Sequence, residues 1–208
     1  MFDFMQDLDA YFCEKYANYD KICVLPNYRM PKMQTSEVRA DGRTYAYTLP
    51  ASTMRLAKQE NKTELLAELK KRLSDKTFSF SFRTVGLFTR IKNIFSKYAP
   101  HKWLKTVFAK CGTTAEEAGE LLSIDKEIWA GICKGKYLPT KNLILSLALT
   151  SQLGIEYTKD LLAVCDYELD FTFEKDVVVS YLLEQKVYNR PMIDAALAEY
   201  KIENLFIA

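Results

Sequence analysis

The spacing of apolar positions changes several times along the chain, and each change predicts an element. Between residues 3 and 17, Phe4, Leu8, Tyr11, Phe12 and Tyr16 recur at helical spacing. Residues 22–25 form a short apolar run that predicts a strand, closed by Pro26 and Pro31. Residues 34–40 and 43–49 flank Asp41-Gly42, a dipeptide that tolerates the positive φ of a tight hairpin turn. From 51 to 75 the period becomes helical again, with Leu65, Leu66, Leu69 and Leu73 in one stripe. Residues 77–82 alternate strictly and place three phenylalanines on one face, a pattern that suits a sheet core better than a base-stacking platform. The first half therefore predicts a small antiparallel sheet covered by helices, and the fold class α+β. A helix over 85–96, with Leu87, Ile91, Ile94 and Phe95 apolar, is predicted to bridge the two halves.

Beyond Lys102 the pattern is helical throughout. Thr113 or Thr114, followed by Glu116 or Glu117 three residues later, predicts a capping box and a helix start. Ala115, Ala118, Leu121 and Leu122 then share one face. Ile124, Ile128 and Ile132 recur at four-residue steps, Asp125 is the candidate N-cap, and Gly135 stops the second helix. Two short helices joined tightly, with alanines at the crossing, make a helix-turn-helix pattern. Pro139-Thr140 opens an apolar helix over 140–152, and further helices are predicted over 156–164, 174–185 and 191–200. These elements divide the chain into an α+β domain at 1–84, a bridging helix at 85–100 and an all-α domain at 101–208.

Composition narrows the chemistry. The five cysteines are odd in number, scattered and without a C-x-x-C pair, which fits free thiols in a reducing compartment. His101 is the single histidine, in a proline-flanked turn, so any triad would have to run through it. Glycine-rich phosphate loops and zincin motifs are absent, and the carboxylates between 166 and 176 lack EF-hand spacing. These features predict no metal, no cofactor and no enzyme activity, although Arg29, Arg39, Arg43 and Arg55 could line an anion pocket. The acidic start and the shortness of the apolar run at 143–149 predict a cytoplasmic protein with no membrane partner.

Charge is unevenly distributed. Residues 1–97 hold 17 Lys and Arg against 11 Asp and Glu, a net of +6, while the remainder holds 12 against 16, a net of −4. Between Asp75 and Glu116 there is no acid, yet Lys76, Arg83, Arg90, Lys92, Lys97, Lys102, Lys105 and Lys110 are all basic. Either this stretch meets a polyanion, or acids at 116–120 or 166–176 fold against it.

The stretch from about Trp103 to Tyr167 resembles the Cro/lambda-repressor type of helix-turn-helix domain. The resemblance rests on the Thr-x-x-Glu opening, Ile128-Trp129, Ile132, Gly135, Pro139-Thr140 and the leucine-rich fourth helix. It is closer still to the helix-turn-helix-like region appended to some Firmicutes macro-domain proteins, through residues 137–142, 159–162, 173–177, 181–184 and 193–197. The first half matches no family pattern. The resemblance implies a bacterial regulatory protein that binds duplex DNA in transcription regulation, with Thr114 and Thr140 meeting phosphates. The second helix would enter the major groove, presenting Lys126, Glu127, Ala130 and Lys134, and Lys136 and Lys141 join the expected nucleic-acid-binding residues. That helix carries Asp125 and Glu127 beside Lys126 and Lys134, and no Arg, Asn or Gln to read base edges. The alternative expectation is a protein-interaction or homodimerisation module on the same scaffold.

Overall fold

A computed structural model describes residues 3–30, 34–38, 40, 42–48, 55–74, 82–96, 99–122, 124–203 and 205. The fold is α+β and predominantly helical. Helix α1 (Phe4–Lys15) starts where the Asp3 carboxylate accepts the backbone N–H groups of Met5 and Gln6. Its Leu8, Phe12 and Tyr16 are fully buried on one stripe, as their spacing predicts. Helix α2 (Tyr19–Cys23) takes the place of the strand predicted at 22–25. The Asn18 side chain caps it by accepting the Lys21 N–H, and that local bond outweighs the β preference of a four-residue apolar run.

Strands β1 (Gln34–Val38) and β2 (Thr44–Thr48) pair antiparallel, with Val38 opposite Thr44 and Gly42 at φ 75° in the turn. The hairpin is where the sequence places it, with Tyr45 half-buried on one face and the Ser36–Ala46 and Val38–Thr44 pairs on the other. Ser36, Val38, Arg43, Thr44 and Ala46 are all exposed. The alternating segment predicted at 77–82 lies, apart from Phe82, outside the described residues. A short 3-10 turn (Leu56–Lys58) leads to helix α3 (Lys62–Arg72), which buries Leu65, Leu66 and Leu69.

The second half is a helical assembly. Helices α5 (Pro100–Lys110), α6 (Ala115–Leu121), α7 (Lys126–Cys133), α8 (Lys141–Thr150) and α9 (Ile155–Val164) follow one another. Helix α8 is buried from Asn142 to Leu149 and packs against α6, α9 and α10 (Glu174–Glu184). An all-round apolar helix of this kind belongs at the centre of its neighbours. Helix α11 (Arg190–Glu199) closes the chain, and Leu205 is buried, its carbonyl accepting the Ser146 hydroxyl.

The predicted division at residues 84 and 101 does not separate two cores. Helix α1 lies on α10, where the Tyr181 hydroxyl donates to Asp7 at 2.7 Å. The Phe12 and Tyr200 rings sit 4.4 Å apart, and the Tyr200 hydroxyl donates to Asp9. Lys70 of α3 joins Asp9 and Glu199 at 2.7 Å each. One continuous apolar cluster runs from Leu8 to Leu205.

Helix α4 (Leu87–Phe95) departs most from expectation. It buries no residue, and its apolar stripe points to solvent rather than into a seam between halves. Its N-terminal approach is fixed by strand β3 (Arg83–Thr84), which pairs antiparallel with β4 (Tyr137–Leu138), and by the Val85 N–H donating to the Lys136 carbonyl. Its C-terminal end is fixed by Lys102, whose ammonium donates to the carbonyls of Ile94 and Ser96.

Candidate functional site

The α6–α7 corner is built from two caps and one aromatic contact. Thr114 accepts the Glu117 N–H at 3.1 Å while the Glu117 carboxylate accepts the Thr114 N–H at 2.7 Å, a complete capping box. That carboxylate is held below its usual range, first by the bond from the Thr114 backbone. Asp125 caps α7 by accepting from Glu127 and Ile128 at 2.9 and 3.0 Å. Across the corner the Trp129 indole donates to the Ala115 carbonyl at 2.7 Å. Gly119 permits this approach, since a Cβ there would lie 2.6 Å from the indole. Gly131 likewise admits the Tyr137 ring, and Gly135, at φ 71°, lies under the His101 imidazole.

Between the outer edges of α6 and α7 lies a cleft of about 720 Å³. Its apolar surface comes from Ala115, Gly119, Ile124, Trp129, Ala130 and Cys133. Lys105, Lys126 and Lys134 stand on its rim together with Glu116 and Glu120, so the rim carries both signs. Burial pushes the Cys133 thiol up.

The residues singled out in the sequence fall into separate groups. Lys126 and Lys134 line the cleft. Thr114 sits at the exposed start of α6, and Glu127 is exposed on the first turn of α7. Lys136 is exposed, but its backbone is held at both ends, donating to Gly131 and accepting from Val85. Thr140 is half-buried and caps α8 by accepting the Leu143 N–H at 3.2 Å. Lys141 turns inward to an ion pair with the buried Asp176, which also accepts the Asp170 N–H at 2.6 Å. The strand β3 therefore lies over the loop beyond α7 that the DNA mode would use, and Lys141 is committed to the interior.

Among the arginines considered for an anion pocket, Arg55 donates to the Glu14 carbonyl at 2.6 Å. Arg29 lines a different cleft of about 530 Å³ together with Lys58, Glu60 and Glu64. Arg39 lies outside the described residues. The acids at 174 and 176 are spent on Lys21 and Lys141. Among the described residues, Arg83, Arg90, Lys92, Lys102, Lys105 and Lys110 enter no ion pair, although Lys105 shares the cleft rim with Glu116 and Glu120.

The sequence places Lys105 in the acid-free basic stretch and Glu116 in the capping box, and the structure brings both to one cleft with Glu120 and Trp129. The Gly119–Trp129 spacing, a small residue ten positions before a large aromatic across a tight turn, is the signal that could have located the cleft. No protein-family model, curated protein or solved structure matches this chain.

Proposed function

We propose that this chain is a non-enzymatic binding protein whose α6–α7 corner grips a protein partner, the helix-turn-helix scaffold serving as an interaction module. The observation that carries this is the cleft: an apolar floor with Trp129 beneath a rim of mixed charge. Protein interfaces share that anatomy, a desolvated core with an aromatic anchor inside a polar rim. A DNA-reading surface needs a basic balance, whereas Glu116, Glu117, Glu120, Asp125 and Glu127 crowd this corner beside Lys126 and Lys134. The N-termini of α6 and α7 are already satisfied by carboxylates of their own, and phosphate would have to approach those charges.

The succession α5 to α9, with its short α6–α7 turn, favours DNA binding as a second reading, with Lys126, Lys134 and Lys136 as the contacting cations. Replacing Ala130 by Glu separates the two. It fills and charges the cleft from a half-buried position of α7 while leaving every lysine in place. Loss of a specific protein complex in this variant, with that complex intact in Lys126→Ala/Lys134→Ala, supports the protein reading. Duplex DNA binding that is lost in Lys126→Ala/Lys134→Ala, with no protein complex to lose, supports the second.

A further inference from the structure

Helix α4 presents the largest unpartnered apolar feature of the described residues. Leu87, Phe88, Ile91, Ile94 and Phe95 are all exposed, Phe88 by 90% and Phe95 by 83%. At 100° per residue these five span an arc of about 120°. Arg90 lies just beyond one edge of that arc and Lys92 just beyond the other, and neither enters an ion pair among the described residues. No acid occurs between Asp75 and Glu116, so the helix and the chain on both sides of it carry charge of one sign.

Burying the apolar stripe against the body is the ordinary outcome for such a helix, and here the opposite is built. The β3–β4 pairing fixes the entry to α4, and Lys102 fixes its exit. Asn93, on the side of α4 opposite the phenylalanines, is half-buried. The element is held in place with its apolar side outward.

We propose that α4 is a peripheral docking site for an anionic lipid surface. An interfacial helix lies in the plane of the headgroups, sinks its apolar face to about 5–10 Å and keeps cations at its edges. The flanking positions of Arg90 and Lys92 provide that edge, and the aliphatic stems of such side chains reach back towards the phosphates. A second copy of the chain fits less well. A nine-residue helix is roughly 14 Å long, too short to supply the ~800 Å² per partner that a stable interface needs. The sequence-based expectation was no membrane partner at all, and this proposal departs from it, although no described helix is long and apolar enough to cross a membrane. Lying on a membrane is a different mode. This inference goes beyond the cleft and does not depend on it.

The test is co-sedimentation of the full chain with phosphatidylglycerol-rich vesicles and with pure phosphatidylcholine vesicles. The wild type is expected on the anionic vesicles alone. Its binding should weaken as salt rises from about 0.1 M to about 1 M, where the Debye length contracts from ~10 to ~3 Å. Phe88→Ser/Phe95→Ser should lower partition by about tenfold or more, and Lys92→Glu should lower it as well. Both variants alter exposed side chains only, so an unchanged far-UV circular dichroism spectrum confirms that they fold. Lys126→Ala/Lys134→Ala should bind vesicles as the wild type does, which keeps this result separate from that for the cleft. Three results would overturn the proposal: no sedimentation at low salt, equal binding by the Phe88/Phe95 variant, or a concentration-dependent dimer that this variant abolishes.

Discussion

The Trp129 indole N–H donates to the Ala115 carbonyl at 2.7 Å, tying the second turn of α7 to the first residue of α6. The same ring lies over Gly119 and is 6.5 Å from the Phe108 ring, so one side chain joins α5, α6 and α7. The cleft owes its floor to this contact. A Cβ at residue 119 would meet the indole at 2.6 Å, so the ring or the backbone would have to shift. Gly119→Ala is therefore expected to destabilise the fold by about 1–3 kcal/mol. Urea unfolding followed by tryptophan fluorescence measures the change, and unaltered stability would show that the indole repacks freely.

Gly135 and Gly112 form an internal control. Both have positive φ, 71° and 68°, but a Cβ at 135 would lie 2.7 Å from His101 Nδ1, whereas nothing lies within 4 Å of one at 112. Gly112→Ala should cost roughly 1 kcal/mol for backbone strain alone. Gly135→Ala should cost more, because the imidazole must also be displaced. Equal losses in thermal denaturation would mean that the His101 contact is soft.

His101 also sets a pH dependence. Burial first, and then Lys102 and Lys105, hold its imidazole below the ordinary value of 6.5. A base whose folded pKa is depressed stabilises the fold above its unfolded pKa and loses that contribution as pH falls through the folded value. Stability should accordingly decline on acidification below about 6.5. His101→Gln should flatten that portion of the profile, and an unchanged slope would assign it to other groups.

Lys141 and Asp176 are separated by 35 residues in sequence, and the carboxylate is only 3% exposed. Burial pushes the Asp176 carboxyl up despite its bonds from the Asp170 N–H and Lys141. Lys141→Met would strand a buried carboxylate and is expected to cost about 3–5 kcal/mol. Adding Asp176→Leu should recover much of that loss. Chemical denaturation of Lys141→Met, Asp176→Leu and the double variant closes the cycle, and a neutral Lys141→Met would show that the pair is not structural.

Local features were legible in the sequence because their causes are local. The turn at Gly42, the Thr114/Glu117 box, the Asp125 cap and the Gly135 stop each depend on residues a few positions apart. Helical stripes such as Leu65, Leu66 and Leu69 follow from periodicity alone. What the sequence concealed depends on distant partners. The stripe of α4 is plain in the sequence, but periodicity states only that two faces differ, not which one meets the protein. That was decided by β3 pairing with Tyr137–Leu138 and by Lys102 holding the carbonyls of Ile94 and Ser96. The fate of Lys141 was decided by Asp176, and the union of both halves by Tyr181, Tyr200 and Lys70 meeting α1.

The most direct measurement on the α6–α7 corner is fluorescence anisotropy of a mixed-sequence duplex titrated with the full chain across a range of salt, for wild type and for Lys126→Ala/Lys134→Ala. A protein-gripping corner predicts weak binding that is the same in both proteins. Tight binding with a steep salt slope, reduced by about two phosphate contacts in the lysine variant, would contradict it and assign the corner to DNA.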